Sequence, residues 1–331
     1  MSSWIESLRL KLRFRLGLLI ALFNLVAGSF LPLLKVTPKD LRGKTVIVTG
    51  ANSGLGYSIA LALAKQNATV YLCCRNKAKG EKAASNIIEA SGLNDIHVLE
   101  LDVSSLQSVR QFALSWSKEI DILVHNAGIA TTDPDNQVTE DGLGIIYATN
   151  FGGSFLLTSL LEKHLAPGAR IVLTSSTGQY SGRIETLFEL PRLSPLAYKG
   201  DQDLYSASKL FQVVFARALQ QRSNRLGLDY TAHAFTPGYS ATSIFDKVTK
   251  TSKSINPVFY FLKRALKWSI SSDQGAMTGI WLATTDDPVV LQGGDYWDRC
   301  RRFSTRADWI VPGMLERIWQ LWCIDTGAKW E

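Results

Sequence analysis

The chain has 331 residues, 46% of them hydrophobic and 20% charged, with four cysteines and a formal net charge of +7. That composition belongs to a folded globular protein and excludes a disordered, collagen-like or disulfide-framed one. Six of the seven net charges fall in residues 1–44, where Arg9, Lys11, Arg13, Arg15, Lys35, Lys39, Arg42 and Lys44 meet only Glu6 and Asp40. The body therefore lacks the basic patch of a nucleic-acid-binding domain, and no nucleic-acid partner is expected. Cys73, Cys74, Cys300 and Cys323 show no paired metal-ligand spacing, so no metal site is expected and a reducing compartment is the default.

The first feature in chain order is Leu16 to Leu34, 19 residues without a charge. At about 1.5 Å per residue it matches the hydrocarbon core of a bilayer, so residues 1–38 are expected to be a basic and hydrophobic membrane anchor, spanning or monotopic. The cations divide evenly between its two flanks and give no orientation. Asn24 and Pro32 leave room for a segment that stays in one leaflet. A sequon stands at Asn67-Ala68-Thr69.

From Lys44 onward short β-branched runs alternate with helical patterns, which predicts βαβ units and a doubly wound parallel α/β sheet. Strands are expected at 45–49, 69–74, 97–101, 120–125, 169–175 and 230–235. Helices are expected at 57–65, 78–90, 106–117, 145–163 and 205–222. In such a sheet ligands bind at the carboxyl ends of the strands.

The chemistry-bearing residues stand at those ends. After the first strand comes Thr49-Gly50-Ala51-Asn52-Ser53-Gly54-Leu55-Gly56, a glycine turn that lets a pyrophosphate approach the backbone at a helix N-terminus. The second strand ends in Cys74-Arg75-Asn76, with no acid to accept from ribose hydroxyls and with an arginine suited to a 2'-phosphate, which favours NADP (NADPH) over NAD. Asp102 follows the third strand and Asn126-Ala127-Gly128 the fourth. Tyr205-Ser206-Ala207-Ser208-Lys209 sets a phenol and an ammonium on one helix face. A phenol works near neutrality only if its anion is stabilised, and an adjacent ammonium does that. Ser176, past the fifth strand, can hold a substrate oxygen, and Asn150, inside a helix, can hold a water linking Lys209 to bulk.

With TGxxxGxG at 49–56, NAG at 126–128, Asn150, Ser176 and YxxxK at 205–209, the chain resembles the short-chain dehydrogenase/reductase family over roughly residues 43–297. The resemblance implies a single Rossmann-type domain over 39–300. It implies a catalytic set of Asn150, Ser176, Tyr205 and Lys209, and a cofactor site of Gly50, Ser53, Gly54, Leu55, Gly56, Arg75, Asp102, Asn126, Tyr205, Lys209, Pro237, Gly238 and Thr242. Within the family it looks most like retinol-dehydrogenase-like and fungal-type membrane reductases, on Cys74-Arg75-Asn76, the 176–205 interval and the tail Leu315 to Trp322.

Two segments depart from the minimal pattern. The interval between Ser176 and Tyr205 is long, so 177–204 is expected to fold over the substrate. Residues 239–270 include Asn256 to Trp268, an aromatic and basic stretch read as a lid or a membrane-resting patch. Residues 301–331 are expected to form a C-terminal helical extension. The expected function is reduction of a carbonyl, or oxidation of an alcohol, on a lipophilic small molecule such as a retinoid, steroid or lipid aldehyde. The membrane would be the endoplasmic reticulum or a lipid droplet, with the catalytic domain cytosolic; a homo-oligomer is left open. The rivals are a tailoring reductase of polyketide or terpenoid biosynthesis and a non-catalytic membrane-tethered cofactor scaffold. A hydrolase is excluded because His97, His125, His164 and His233 lack a Ser-His-Asp context.

Overall fold

The computed structural model describes the chain except for residues 1, 134–135, 189–199, 241–268 and 331. Eight strands form one sheet: β1 Thr45–Thr49, β2 Thr69–Cys74, β3 Ile96–Glu100, β4 Ile120–His125, β5 Leu165–Thr174, β6 Tyr230–Thr236, β7 Tyr296–Asp298 and β8 Arg301–Phe303. Their order is β3-β2-β1-β4-β5-β6-β7-β8, parallel throughout except for the last pair. The chain starts in the middle, runs outward to β3 and returns past β1 to β4, so a topological switch point opens beside β1. Val46, Ile47 and Val48 of β1 are fully buried, as an apolar run covered on both faces requires.

Helices cover the sheet on both faces. On one face lie α2 Gly54–Ala64, α3 Lys77–Ser91 and α8 Ser272–Thr284; on the other lie α4 Leu106–Ser115, α6 Gly153–Leu161 and α7 Asp201–Leu226. Before α6 stand a single turn, α5 Ile145–Tyr147, and a π turn at Ala148–Gly152. Three α-helix starts carry side-chain caps: Asn76 accepts from the Lys79 N–H, Ser105 from the Ser108 N–H and Ser271 from the Gln274 N–H, each satisfying one otherwise orphaned donor.

The last helix, α9 Pro312–Thr326, seals the α6/α7 face with aromatics. Trp322 lies 4.7 Å from Phe151 and 5.6 Å from Phe155, ring centre to ring centre, and Trp330 lies 5.1 Å from Phe155. The Trp330 indole donates to Glu162 at 2.8 Å, and the same carboxylate holds Arg222 and the Tyr230 hydroxyl. The expected C-terminal helix is thus an integral part of the core.

Among the described residues the N-terminus does not take the spanning form of the expected anchor. α1 runs over Ser2–Ala27, a 3-10 turn follows at Gly28–Phe30, and the chain is extended at Leu31. Among the described residues no helix is long and apolar enough to cross a membrane. The uncharged run is divided: its first part shares α1 with Arg9, Lys11, Arg13 and Arg15, and its last part leaves the helix ahead of Pro32, whose ring and missing N–H cannot continue it. One stripe of α1 is docked on the body. Phe14 packs at a tilt between Tyr180 and Trp309, ring centres 5.5 and 5.1 Å away, Ala21 is buried, and Asn24 donates to Asp298 at 2.8 Å. The remaining surface exposes Leu8, Leu12, Leu16, Leu19 and Phe23. On a helical projection at 100° per residue this stripe lies opposite the docked one, with Arg9 and Arg13 along one border and Lys11 and Arg15 along the other.

Candidate active site

The glycine turn needs its glycines for reasons inside the chain itself. Gly50 and Gly54 have positive φ, +65° and +56°, which a side chain strongly disfavours. A Cβ on Gly56 would come within 2.4 Å of Asn126 Nδ2 and 2.6 Å of the Gly50 carbonyl. Asn126 pins this turn to β4: its Nδ2 donates to the Thr49 and Gly50 carbonyls at 3.0 and 3.3 Å, and its N–H donates to Thr49 Oγ1. Ser53 is exposed at the start of α2, with Leu55 and Gly56 buried behind it, and the unpaired N–H groups of a helix N-terminus suit a pyrophosphate.

The rim of this cleft is built from the ends of the neighbouring strands. Arg75 is exposed directly after β2. Asp102, after β3, is turned into its own loop and accepts from the Ser104 N–H and O–H at 2.9 and 2.6 Å. After β6, Pro237 and Gly238 pass close to Gly275 of α8, where a Cβ would meet the Pro237 carbonyl at 3.1 Å and Leu55 at 3.2 Å. Gly275 therefore lets α2 and the loop beyond β6 approach each other across the cleft. Thr242, most of 239–270 and much of 177–204 lie outside the described residues. The turn, the rim and the loop fit a nicotinamide dinucleotide lying across the switch point.

Tyr205 and Lys209 stand one turn apart on α7, with Lys209 Nζ 5.5 Å from the centre of the phenol ring. Burial raises the Tyr205 hydroxyl above its ordinary range, while a hydrogen bond with Ser176 opposes that shift. Ser176 begins a 3-10 turn and accepts from the Gly178 N–H at 3.1 Å. Lys209 is 2% exposed, and burial pushes its ammonium down to about 7. It donates to the Thr174 carbonyl at 2.8 Å and to Gln212 Oε1 at 3.2 Å. Desolvation thus brings the lysine within reach of a proton exchange near neutrality.

Asn150 occupies the π turn and is fully buried. Its side chain is spent on the segment after β4 and on α7: Oδ1 accepts from the Ile129 N–H, and Nδ2 donates to the Ile129 carbonyl and to Ser208 Oγ. Four catalytic candidates, drawn from the π turn, the end of β5 and α7, therefore converge on one buried locus. Sequence reasoning missed Gln212, Ser208 and Thr174, which supply partners to that locus through backbone or unremarkable polar groups. It also missed Gly153, where a Cβ would fall 1.9 Å from the Val103 carbonyl; a glycine beside a helix start carries no such meaning on its own.

A family model described as short chain dehydrogenase matches residues 44–186. Retinol dehydrogenase 12 of Mus musculus is 32% identical over 300 residues, covering 89% of this chain and 90% of that protein. The chain is a short-chain dehydrogenase/reductase. Dehydrogenase/reductase SDR family member 13 of Bos taurus is 35% identical over 297 residues, 86% of this chain and 74% of that protein. A crystal structure of an uncharacterized protein from Mycobacterium paratuberculosis superposes with a TM-score of 0.67 at 30% identity, over 89% of this chain and 97% of that one. Within the short-chain dehydrogenase/reductase family this oxidoreductase resembles the retinol dehydrogenases.

Proposed function

We propose that this protein is an NADP(H)-dependent oxidoreductase that interconverts a carbonyl and an alcohol on a lipophilic substrate of the retinoid, steroid or lipid-aldehyde kind. The observation that carries the reading is the meeting of Ser176 and Lys209 at Tyr205, Ser176 through a hydrogen bond with the phenol hydroxyl and Lys209 with its Nζ 5.5 Å from the ring centre. Bound NADPH would supply the hydride to the carbonyl carbon. Ser176 and the Tyr205 hydroxyl would hold the carbonyl oxygen, and Tyr205 would donate the proton that converts it to the alcohol. Lys209, beneath the ring, would stabilise the tyrosinate that remains. Arg75, in the acid-free run Cys74-Arg75-Asn76 at the end of β2, supports the choice of NADPH. The name of the Mus musculus relative supports a retinoid-like substrate.

The docked α1 supports a monotopic attachment. Its exposed Leu8, Leu12, Leu16, Leu19 and Phe23 form an apolar stripe bordered by cations, the pattern of a helix lying in the plane of a membrane interface. On this reading a lipophilic substrate is met at a lipid surface.

Titration of the full chain with NADPH and NADH, followed by a reduction screen over retinaldehydes, steroid ketones and medium-chain aldehydes, tests the proposal. A Tyr205→Phe protein is expected to bind NADPH like the wild type and to lose at least about 1,000-fold in turnover. Near-normal turnover by that variant would refute the assignment.

A further inference from the structure

The expected link from Lys209 to bulk runs through a water held by Asn150. In the folded chain a side chain reaches the Asn150 carbonyl. Gln212 lies three residues beyond Lys209 on α7 and is fully buried. Its Nε2 donates to the Asn150 carbonyl at 2.7 Å, and its Oε1 accepts from Lys209 Nζ at 3.2 Å. The π turn at Ala148–Gly152 shifts the local hydrogen-bond pattern around that carbonyl, a distortion that recurs at functional sites.

We infer that Gln212 is a positioning residue that bridges the Lys209 ammonium to the Asn150 carbonyl and fixes the lysine's place beside Tyr205. The inference rests on the reading of Tyr205 and Lys209 as the acid–base pair. An amide suits this place because it offers one acceptor and one donor pair in a fixed plane. Its acceptor faces the ammonium and favours the charged form of a lysine that burial otherwise disfavours. Its donor is anchored on the backbone, so the acceptor is held in position without a mobile solvent molecule. The surrounding groups leave this task to Gln212. Tyr205, on the same helix, is the titratable neighbour; β5 offers the neutral Thr174 carbonyl, and the segment after β4 offers Gly128, whose Cβ position lies 3.5 Å from Nζ.

The bridge predicts an order of effects that packing alone would reverse. Gln212→Leu fills the same volume without a polar atom, whereas Gln212→Ala leaves room for a water between Lys209 and Asn150. If Gln212 only filled space, the cavity would make alanine the worse replacement. The measurement is a titration of the Lys209 13Cε resonance in the full chain, with the pH profile of kcat followed in parallel. In Gln212→Leu the Lys209 midpoint should fall by about one pH unit, a roughly 10-fold change in acidity, and kcat should drop about 10-fold. In Gln212→Ala both should stay within about 3-fold of the wild type. Gln212→Glu, which keeps the shape and adds a negative charge, should raise the Lys209 midpoint, so the bridge remains testable if the leucine variant does not fold.

A Lys209 midpoint that is unmoved in Gln212→Leu or in Gln212→Glu would overturn the proposal, as would an alanine variant as impaired as the leucine one. Because the resonance titrates without turnover, a wild-type protein inactive on every carbonyl would count against the proposed function while the bridge was still read directly.

Discussion

Asn150 grips Ile129 by both backbone groups, its Oδ1 accepting from the N–H at 2.8 Å and its Nδ2 donating to the carbonyl at 2.9 Å. A helix is thereby tied to the segment that follows β4, beside the acid–base pair. Asn150→Ala would leave both Ile129 groups without their partner, at a cost of about 2–4 kcal/mol. Asn150→Asp would keep an acceptor for the N–H but set a carboxylate against the Ile129 carbonyl. Both variants should unfold at lower urea concentration than the wild type, with the aspartate no better than the alanine. An aspartate variant of native stability would show that the Nδ2 contact is dispensable.

Arg75 is exposed directly after β2, and the proposed cofactor choice rests on its charge. Arg75→Asp should weaken NADPH about 10- to 100-fold, the worth of one charge-assisted hydrogen bond of roughly 1.5–3 kcal/mol, and should improve NADH. The ratio of kcat/KM for the two cofactors checks this. A ratio unchanged from the wild type would place 2'-phosphate recognition elsewhere.

Asp298 is 2% exposed, and burial raises its carboxyl to about 6, against the opposing pull of the Asn24 amide. A carboxyl whose folded value exceeds its unfolded value binds more protons when folded, so its contribution to stability is present at low pH and is lost as pH rises through about 6. Asp298→Asn removes that loss and can still accept from Asn24. Its melting temperature relative to the wild type should therefore be higher at pH 8 than at pH 4.5. Calorimetry at the two values would contradict the account if the difference were equal or reversed.

Leu12, Leu16, Leu19 and Phe23 are more than half exposed on α1. Replacing all four by serine removes several side chains, each worth about 1.5–3 kcal/mol when fully withdrawn from water. Co-sedimentation of the full chain with anionic phospholipid vesicles should fall at least about 100-fold, while the melting temperature changes little because the docked stripe of Phe14, Gly17 and Ala21 is untouched. Equal sedimentation of variant and wild type would remove the in-plane reading.

The parallel order of six strands was legible because Val46, Ile47 and Val48, and the corresponding runs in later strands, are apolar on both faces and bounded by turn residues. The Tyr205 and Lys209 pair was legible because a four-residue helical spacing is itself a geometric statement. By contrast β7 and β8 are three residues each, too short for a period to declare itself, and Tyr296 and Trp297 read equally well as core aromatics. Residue 150 could be picked out as a polar side chain in a helix, but not the use of its carbonyl. That depends on a π turn, which has no sequence period, and on Gln212, which becomes informative only when α7 is laid beside the turn. The uncharged run at 16–34 could not separate a spanning from a monotopic anchor, because length and hydropathy do not register that Phe14, Gly17 and Ala21 find partners on the protein.

Gly17 of α1 lies so close to the body that a Cβ there would sit 3.1 Å from the Tyr180 hydroxyl and from the Ser304 carbonyl. Tyr180 belongs to the short turn opened by Ser176. The helix proposed to rest on lipid thus packs against a tyrosine only four residues of chain beyond the serine proposed to hold the substrate oxygen. For an enzyme built this way the relevant substrate concentration is a surface density. Its rate should follow the mole fraction of substrate in the bilayer, and diluting the membrane with inert lipid should inhibit it even when the total amount of substrate is unchanged.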